Sequence, residues 1–126
     1  MSYNFNPKID RDFIISMYED DYLYISEVFA TTLTQLIPDI EVVKKSFNER
    51  NLENLRKQVH KIKPAFGFAG LRDTEELCQQ FENECLSVSS TEALADKYSM
   101  LIEAVETGTT IIQQEIDKLK VYNSKT

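Results

Sequence analysis

The sequence predicts an all-α protein: an up-down antiparallel four-helix bundle with a short extra N-terminal helix. Three observations lead there. Apolar residues recur at three- and four-residue steps over long stretches, the spacing of one helix face. Only three glycines and three prolines occur in 126 residues, and no alternating β-branched run supplies a strand. The breaks between periodic stretches, near residues 49–51, 70–73 and 87–90, are short, so successive helices must run antiparallel.

Asp10 is the expected cap of a short first helix carrying Phe13, Ile14 and Met17, and Asp20 or Asp21 opens a second. The second helix is long, with Tyr22, Ile25, Phe29, Leu33, Leu36, Ile40, Val43 and Phe47 on one stripe. Pro38 interrupts it and is expected to bend or split it, because proline lacks an N–H and crowds the carbonyl four residues back. Asn51 caps a third helix with the stripe Leu52, Leu55, Val59, Ile62, Phe66 and Ala69, and Gly70 ends it. Asp73 with Glu76 has the spacing of a cap for a fourth helix that buries Leu77, Cys78, Phe81 and Cys85. Ser89 with Glu92 repeats that spacing before a last helix carrying Leu94, Tyr98, Leu101, Val105, Gly108, Ile112, Ile116 and Leu119. Gly108 on this stripe is either a point of close helix approach or a break.

The length suits one domain, 1–126, with a core over about residues 10–121 and loose N- and C-terminal ends. An apolar fraction of 42% with 28% charged residues is that of a globular protein, which excludes disorder as the expectation. The net charge of −7 argues against a nucleic-acid binder, which needs a basic face to gather phosphates. No apolar run is long enough to span a bilayer and the first residues lack a signal-peptide core, so a cytoplasmic protein without membrane contact is expected. Cys78 and Cys85, seven residues apart on one helix, are separated by about 10 Å and cannot bridge each other. They read as buried small hydrophobes in a reducing compartment.

The chain has one histidine, His60. At 100° per residue it points about 130° away from the mean direction of Leu55, Val59, Ile62 and Phe66, toward solvent. Arg56, Lys63, Pro64 and Gly67 lie four before and three, four and seven after it, and therefore share its flank. Two cations and two small residues beside an exposed imidazole suit a phosphorylated ring: the cations offset charge, and the glycine leaves room for an approaching protein.

The run His60-Lys61-Ile62-Lys63-Pro64-Ala65-Phe66-Gly67-Phe68-Ala69-Gly70-Leu71 resembles the signature of histidine-containing phosphotransfer (HPt) domains. That signature has a lysine three residues after the histidine, small residues following, and a glycine at ten followed by an apolar residue. Leu77-Cys78-Gln79-Gln80-Phe81-Glu82 is similar to the family's next helix, and Phe29 with Leu36-Ile37-Pro38 to its preceding one, so the resemblance covers roughly residues 10–120. Pro64 departs from the commoner glycine and is expected to kink the helix beside the ring, which bears on where Lys63 stands relative to it. Phe66 and Phe68 are bulkier than usual there, with Phe66 read as core.

The resemblance implies a two-component phosphorelay. His60 would accept a phosphoryl group from the aspartate of one receiver domain and pass it to another, with Lys63 stabilising the phosphoryl oxygens and Arg56 as a second candidate. Gly67, Gly70 and Pro64 would support the site. The bundle needs no cofactor or metal of its own, because Mg²⁺ sits in the receiver's acidic pocket. Without a Gly-rich phosphate loop or kinase motif the chain is expected to be a phosphoryl carrier and not an enzyme in its own right. The expected partners are receiver domains of hybrid histidine kinases and response regulators, met by a monomer. Phe13, Met17, Tyr18, Tyr22 and Tyr24 could form the apolar docking patch or simply pack the first helix. Two other readings stand beside this one: a substrate domain of a chemotaxis-like histidine kinase, and a non-catalytic helical adaptor.

Overall fold

The computed structural model describes residues 3–125. Its helices are α1 (Arg11–Tyr18), α2 (Tyr22–Asn48), α3 (Leu52–Phe68), α4 (Arg72–Cys85) and α5 (Ala95–Ser124), with a single 3₁₀ turn at Glu92–Leu94 before α5. No strand occurs among the described residues. Helices α2 to α5 close an antiparallel bundle in which α3 packs between α2 and α4, and α5 lies against α2 and, less tightly, α4.

Three of the expected caps form. Asp10, Asp21 and Asn51 accept hydrogen bonds from the backbone N–H groups of Phe13, Tyr24 and Asn54 at 3.1, 3.0 and 3.0 Å, satisfying donors that have no partner within the helix. The other two do not. Helix α4 starts at Arg72 with Leu71 in the cap position, and α5 starts at Ala95 after the 3₁₀ turn, neither with a side-chain cap. Burial decides both. Leu71 is drawn into the core at the turn, which moves Asp73 inside the first turn, where its charge still favours the helix dipole. Thr91 and Leu94 are buried in the same way and set a 3₁₀ entrance where Ser89 and Glu92 were expected to cap.

Neither proline splits its helix. Pro38 lies inside α2 and Pro64 inside α3, both on exposed faces, so each ring has room and each unpaired carbonyl one turn back can reach water. Gly70 ends α3 at φ +73°, and its carbonyl accepts from Asp10 N–H at 2.8 Å. A Cβ there would sit 3.0–3.1 Å from Ile14 and Ile9, so this turn is also the seat of α1.

Gly108 is a point of close approach. Helix α5 runs unbroken through it, and a Cβ would come within 2.8 Å of the Phe66 ring. The core of Ile25, Phe29, Leu55, Val59, Ile62, Phe66, Leu101, Val105, Ile112 and Leu119 follows the predicted stripes. Met17, expected on the apolar face of α1, is 55% exposed.

Residues 3–9, expected within a loose N-terminal end, pack against the bundle. Tyr3, Phe5 and Ile9 are buried, and Tyr3 meets Phe5, Tyr22 and Tyr122 in an aromatic cluster with centroids 4.8–5.6 Å apart. Its hydroxyl donates to the buried carboxylate of Glu115 at 3.0 Å, while Lys118 bridges Glu115 and the Asn4 carbonyl. Polar residues in the first stretch conceal this, because among its described residues only Tyr3, Phe5 and Ile9 are buried.

Candidate functional site

Helices α3 and α4 run antiparallel in a register that sets Arg56 near Cys85, His60 opposite Glu82, Lys63 opposite Gln79, and Gly67 under Glu75. The site is built on this ladder. His60 points outward as its helical phase predicts, with a side chain 66% exposed. Its Nδ1 lies 2.7 Å from Glu82 Oε1. A carboxylate only accepts, so Nδ1 carries a proton, which in the neutral ring leaves the lone pair on Nε2. Nε2 has no hydrogen-bond partner among the described residues.

Glu82 is 93% buried and serves two partners. The Lys63 ammonium lies 3.0 Å from Oε2 but is aligned for Gln79 Oε1 at 2.6 Å, leaving Oε2 in an ion pair without a directed hydrogen bond. Lys63 is therefore tied down, with only 19% of its side chain exposed. Cys78 lies one turn before Glu82 on α4. Burial, with Glu82 adding to it and Lys63 opposing it, pushes the Cys78 thiol up to about 12, so it stays neutral.

The remaining sequence candidates divide. Arg56 is half-buried in the α3–α4 seam, and its side chain makes no hydrogen bond or ion pair among the described residues. Pro64 is exposed on the flank of His60 facing α2, and its missing N–H leaves the His60 carbonyl without its helical donor. Gly67 is not an open approach. It is buried, and the Glu75 carboxylate fills the space a side chain would take. Gly70 shapes the turn below the site and not its chemistry.

The aromatic residues expected to form a docking patch separate as well. Phe13 is half-buried with Arg72 stacked over it at 4.9 Å, and Tyr22 belongs to the Tyr3 cluster. Met17, Tyr24 and Phe68 remain about half exposed. Tyr18 joins two of these, meeting Tyr24 edge-on at 5.9 Å and donating from its hydroxyl to the Phe68 carbonyl at 3.1 Å.

Comparison with known proteins identifies the family and the fold. The Hpt domain family matches residues 25–120, three quarters of the chain. This chain belongs to the Hpt domain family. Hpt domains carry phosphoryl groups on histidine in phosphorelays, and this one has its single histidine on the matched segment. The HPT domain of a sensor hybrid histidine kinase from Shewanella has the same fold, with a TM-score of 0.74 at 16% identity over 88% of this chain and 95% of that one. No curated protein matches the chain. Among the described residues no helix is long and apolar enough to cross a membrane.

Sequence reasoning placed Glu82 and Gln79 only within the resembling run on α4 and gave neither a place beside His60 or Lys63. One signal was available: Glu82 interrupts the apolar stripe of Leu77, Cys78, Phe81 and Cys85, and a carboxylate among core positions needs a partner. Gln79 gave no such signal, since its role depends on the helix register.

Proposed function

We propose that this Hpt domain accepts a phosphoryl group on His60 Nε2 from the aspartyl phosphate of a receiver domain and passes it to the aspartate of a second receiver. The observation that carries the reading is the pairing of His60 with Glu82: the ring is exposed, yet its tautomer is fixed by a buried carboxylate. The Nε2 lone pair attacks phosphorus in line, the P–O bond to the donor breaks, and its electron pair leaves on the donor carboxylate. The Nδ1 proton stays on its bond to Glu82. The phosphorylated ring is then cationic, balanced by Glu82, and remains a good leaving group for the second transfer.

Lys63 supports this through Glu82. Its ammonium neutralises the buried carboxylate, and Gln79 holds it there. The divalent cation that assists phosphoryl transfer belongs to the receiver's pocket in this reading. Among the described residues of this chain, no three His, Cys, Asp or Glu side chains are grouped to hold a metal ion. Beyond His60 on α3, Pro64 and Phe68 are exposed, and Tyr18 links Phe68 to the half-exposed Tyr24, which gives apolar surface suited to such a partner.

Incubation with phosphorylated receiver domains tests the reading. Acid-labile label should appear on the wild-type chain and be absent from His60→Gln, whose circular dichroism should match wild type. Label retained by His60→Gln would overturn it. Label delivered by a histidine kinase with no receiver present would favour the kinase-substrate role instead.

A further inference from the structure

A phosphoryl group on His60 brings two negative charges to the surface of α3, and the cations around it are not equally free to meet them. Lys57 is paired with Glu53 at 3.2 Å and Lys61 with Asp39 at 3.3 Å. Lys63 is held by Gln79 and Glu82. Releasing it would strip a 93% buried carboxylate of its counter-charge and undo the arrangement that orients the ring. Arg56 alone among these has no acceptor among the described residues, although it is half-buried.

Its position suits the task. Helical side chains lean toward the N-terminus, so the His60 ring extends over the turn that holds Arg56, four residues back. Arg56 also lies in the same seam as the ring. Burial pushes the Cys85 thiol up to about 11, and the Arg56 charge is the largest influence opposing it, which sets the guanidinium near α4 one turn beyond Glu82. The thiol nearby is neutral, and no carboxylate among the described residues pairs with the guanidinium.

We propose that Arg56, and not Lys63, is the phosphoryl-binding cation of this site, pairing with the oxygens of phosphorylated His60 while Lys63 remains on Glu82 as a positioning residue. The proposal rests on the phosphotransfer reading above. A guanidinium offers two parallel N–H donors to two phosphoryl oxygens, a geometry an ammonium cannot match. The bare site thus holds an unmatched cation that phosphorylation neutralises.

The full chain can be phosphorylated with phosphoramidate, a small donor that needs no protein partner, and the phosphohistidine followed by ³¹P NMR across pH. A neighbouring cation favours the dianion, so Arg56→Gln should raise the titration midpoint of the phosphoryl group by about half a unit or more, and Arg56→Lys by less. Lys63→Gln should leave that midpoint in place but change the ¹⁵N tautomer pattern of unphosphorylated His60. A midpoint indifferent to Arg56→Gln, or one moved by Lys63→Gln instead, overturns the proposal alone. A wild-type chain that takes no label on His60 from phosphoramidate or from any phosphorylated receiver overturns the phosphotransfer reading and this proposal with it.

Discussion

His60 Nδ1 and Glu82 Oε1 lie 2.7 Å apart, joining the most exposed group of the site to one of the few carboxylates buried in the bundle. The pair holds an otherwise ordinary surface histidine in one defined tautomer. Glu82→Ala should convert the ¹⁵N pattern of His60 from a dominant Nδ1–H form to a mixture. Phosphorylation should slow by roughly 10- to 100-fold, the worth of one charge-assisted hydrogen bond. Glu82→Gln keeps an acceptor oxygen and should lose less. An unaltered ¹⁵N pattern in Glu82→Ala would contradict the assignment.

Gly108 should be intolerant of even one methyl group. An added Cβ would come within 2.8 Å of the Phe66 ring, whose own position is fixed by complete burial. Overpacking costs about 1–3 kcal/mol and the gain in helix propensity over glycine returns about 1, so Gly108→Ala should lower stability by about 1 kcal/mol. Phe66→Leu should cost less in the Gly108→Ala background than alone. Urea midpoints of the four proteins in this cycle measure it, and a raised midpoint for Gly108→Ala would refute the close contact.

The two cysteines should be silent in the folded protein. Burial is the main cause that raises their thiols from 9.0 to about 12 for Cys78 and about 11 for Cys85, so neither forms thiolate at pH 8. A disulfide reagent should react only at the rate of unfolding. Because the folded pKa values are raised, the stability these groups contribute is complete below about pH 9 and is lost as pH rises through 11 to 12. Replacing both by alanine should flatten the fall in urea midpoint between pH 8 and 10.5, and an undiminished slope would assign it elsewhere.

Tyr3 should matter to stability despite standing near the start of the chain. Its hydroxyl satisfies one oxygen of Glu115, which is 1% exposed, and burial next to that carboxylate raises the phenol well above its usual range. Tyr3→Phe keeps the ring packing but leaves that oxygen unpaired, at a cost of about 1–3 kcal/mol. Adding Glu115→Gln should recover part of the loss. A Tyr3→Phe protein as stable as wild type would mean the strap does not close on Glu115.

The sequence by itself determined the helices, their apolar stripes, three caps, the Gly70 stop and the outward direction of His60. These are local properties: a 3.6-residue period and a capping side chain act over one or two turns, so spacing alone reveals them. Only the tertiary structure decided which α4 residues meet His60 and Lys63, because Glu82 and Gln79 lie 22 and 16 positions away and reach them through antiparallel register. It also decided that Leu71 and Leu94, and not Asp73 and Ser89, stand at the starts of α4 and α5, since burial of an apolar side chain outweighs a cap worth about 1 kcal/mol. Gly67 shows the same limit from the other side. Its smallness was legible, but what fills the space, the carboxylate of Glu75, belongs to a neighbouring helix. Periodicity tells which face of a helix turns inward; only packing tells what that face, or the rim beside it, will touch.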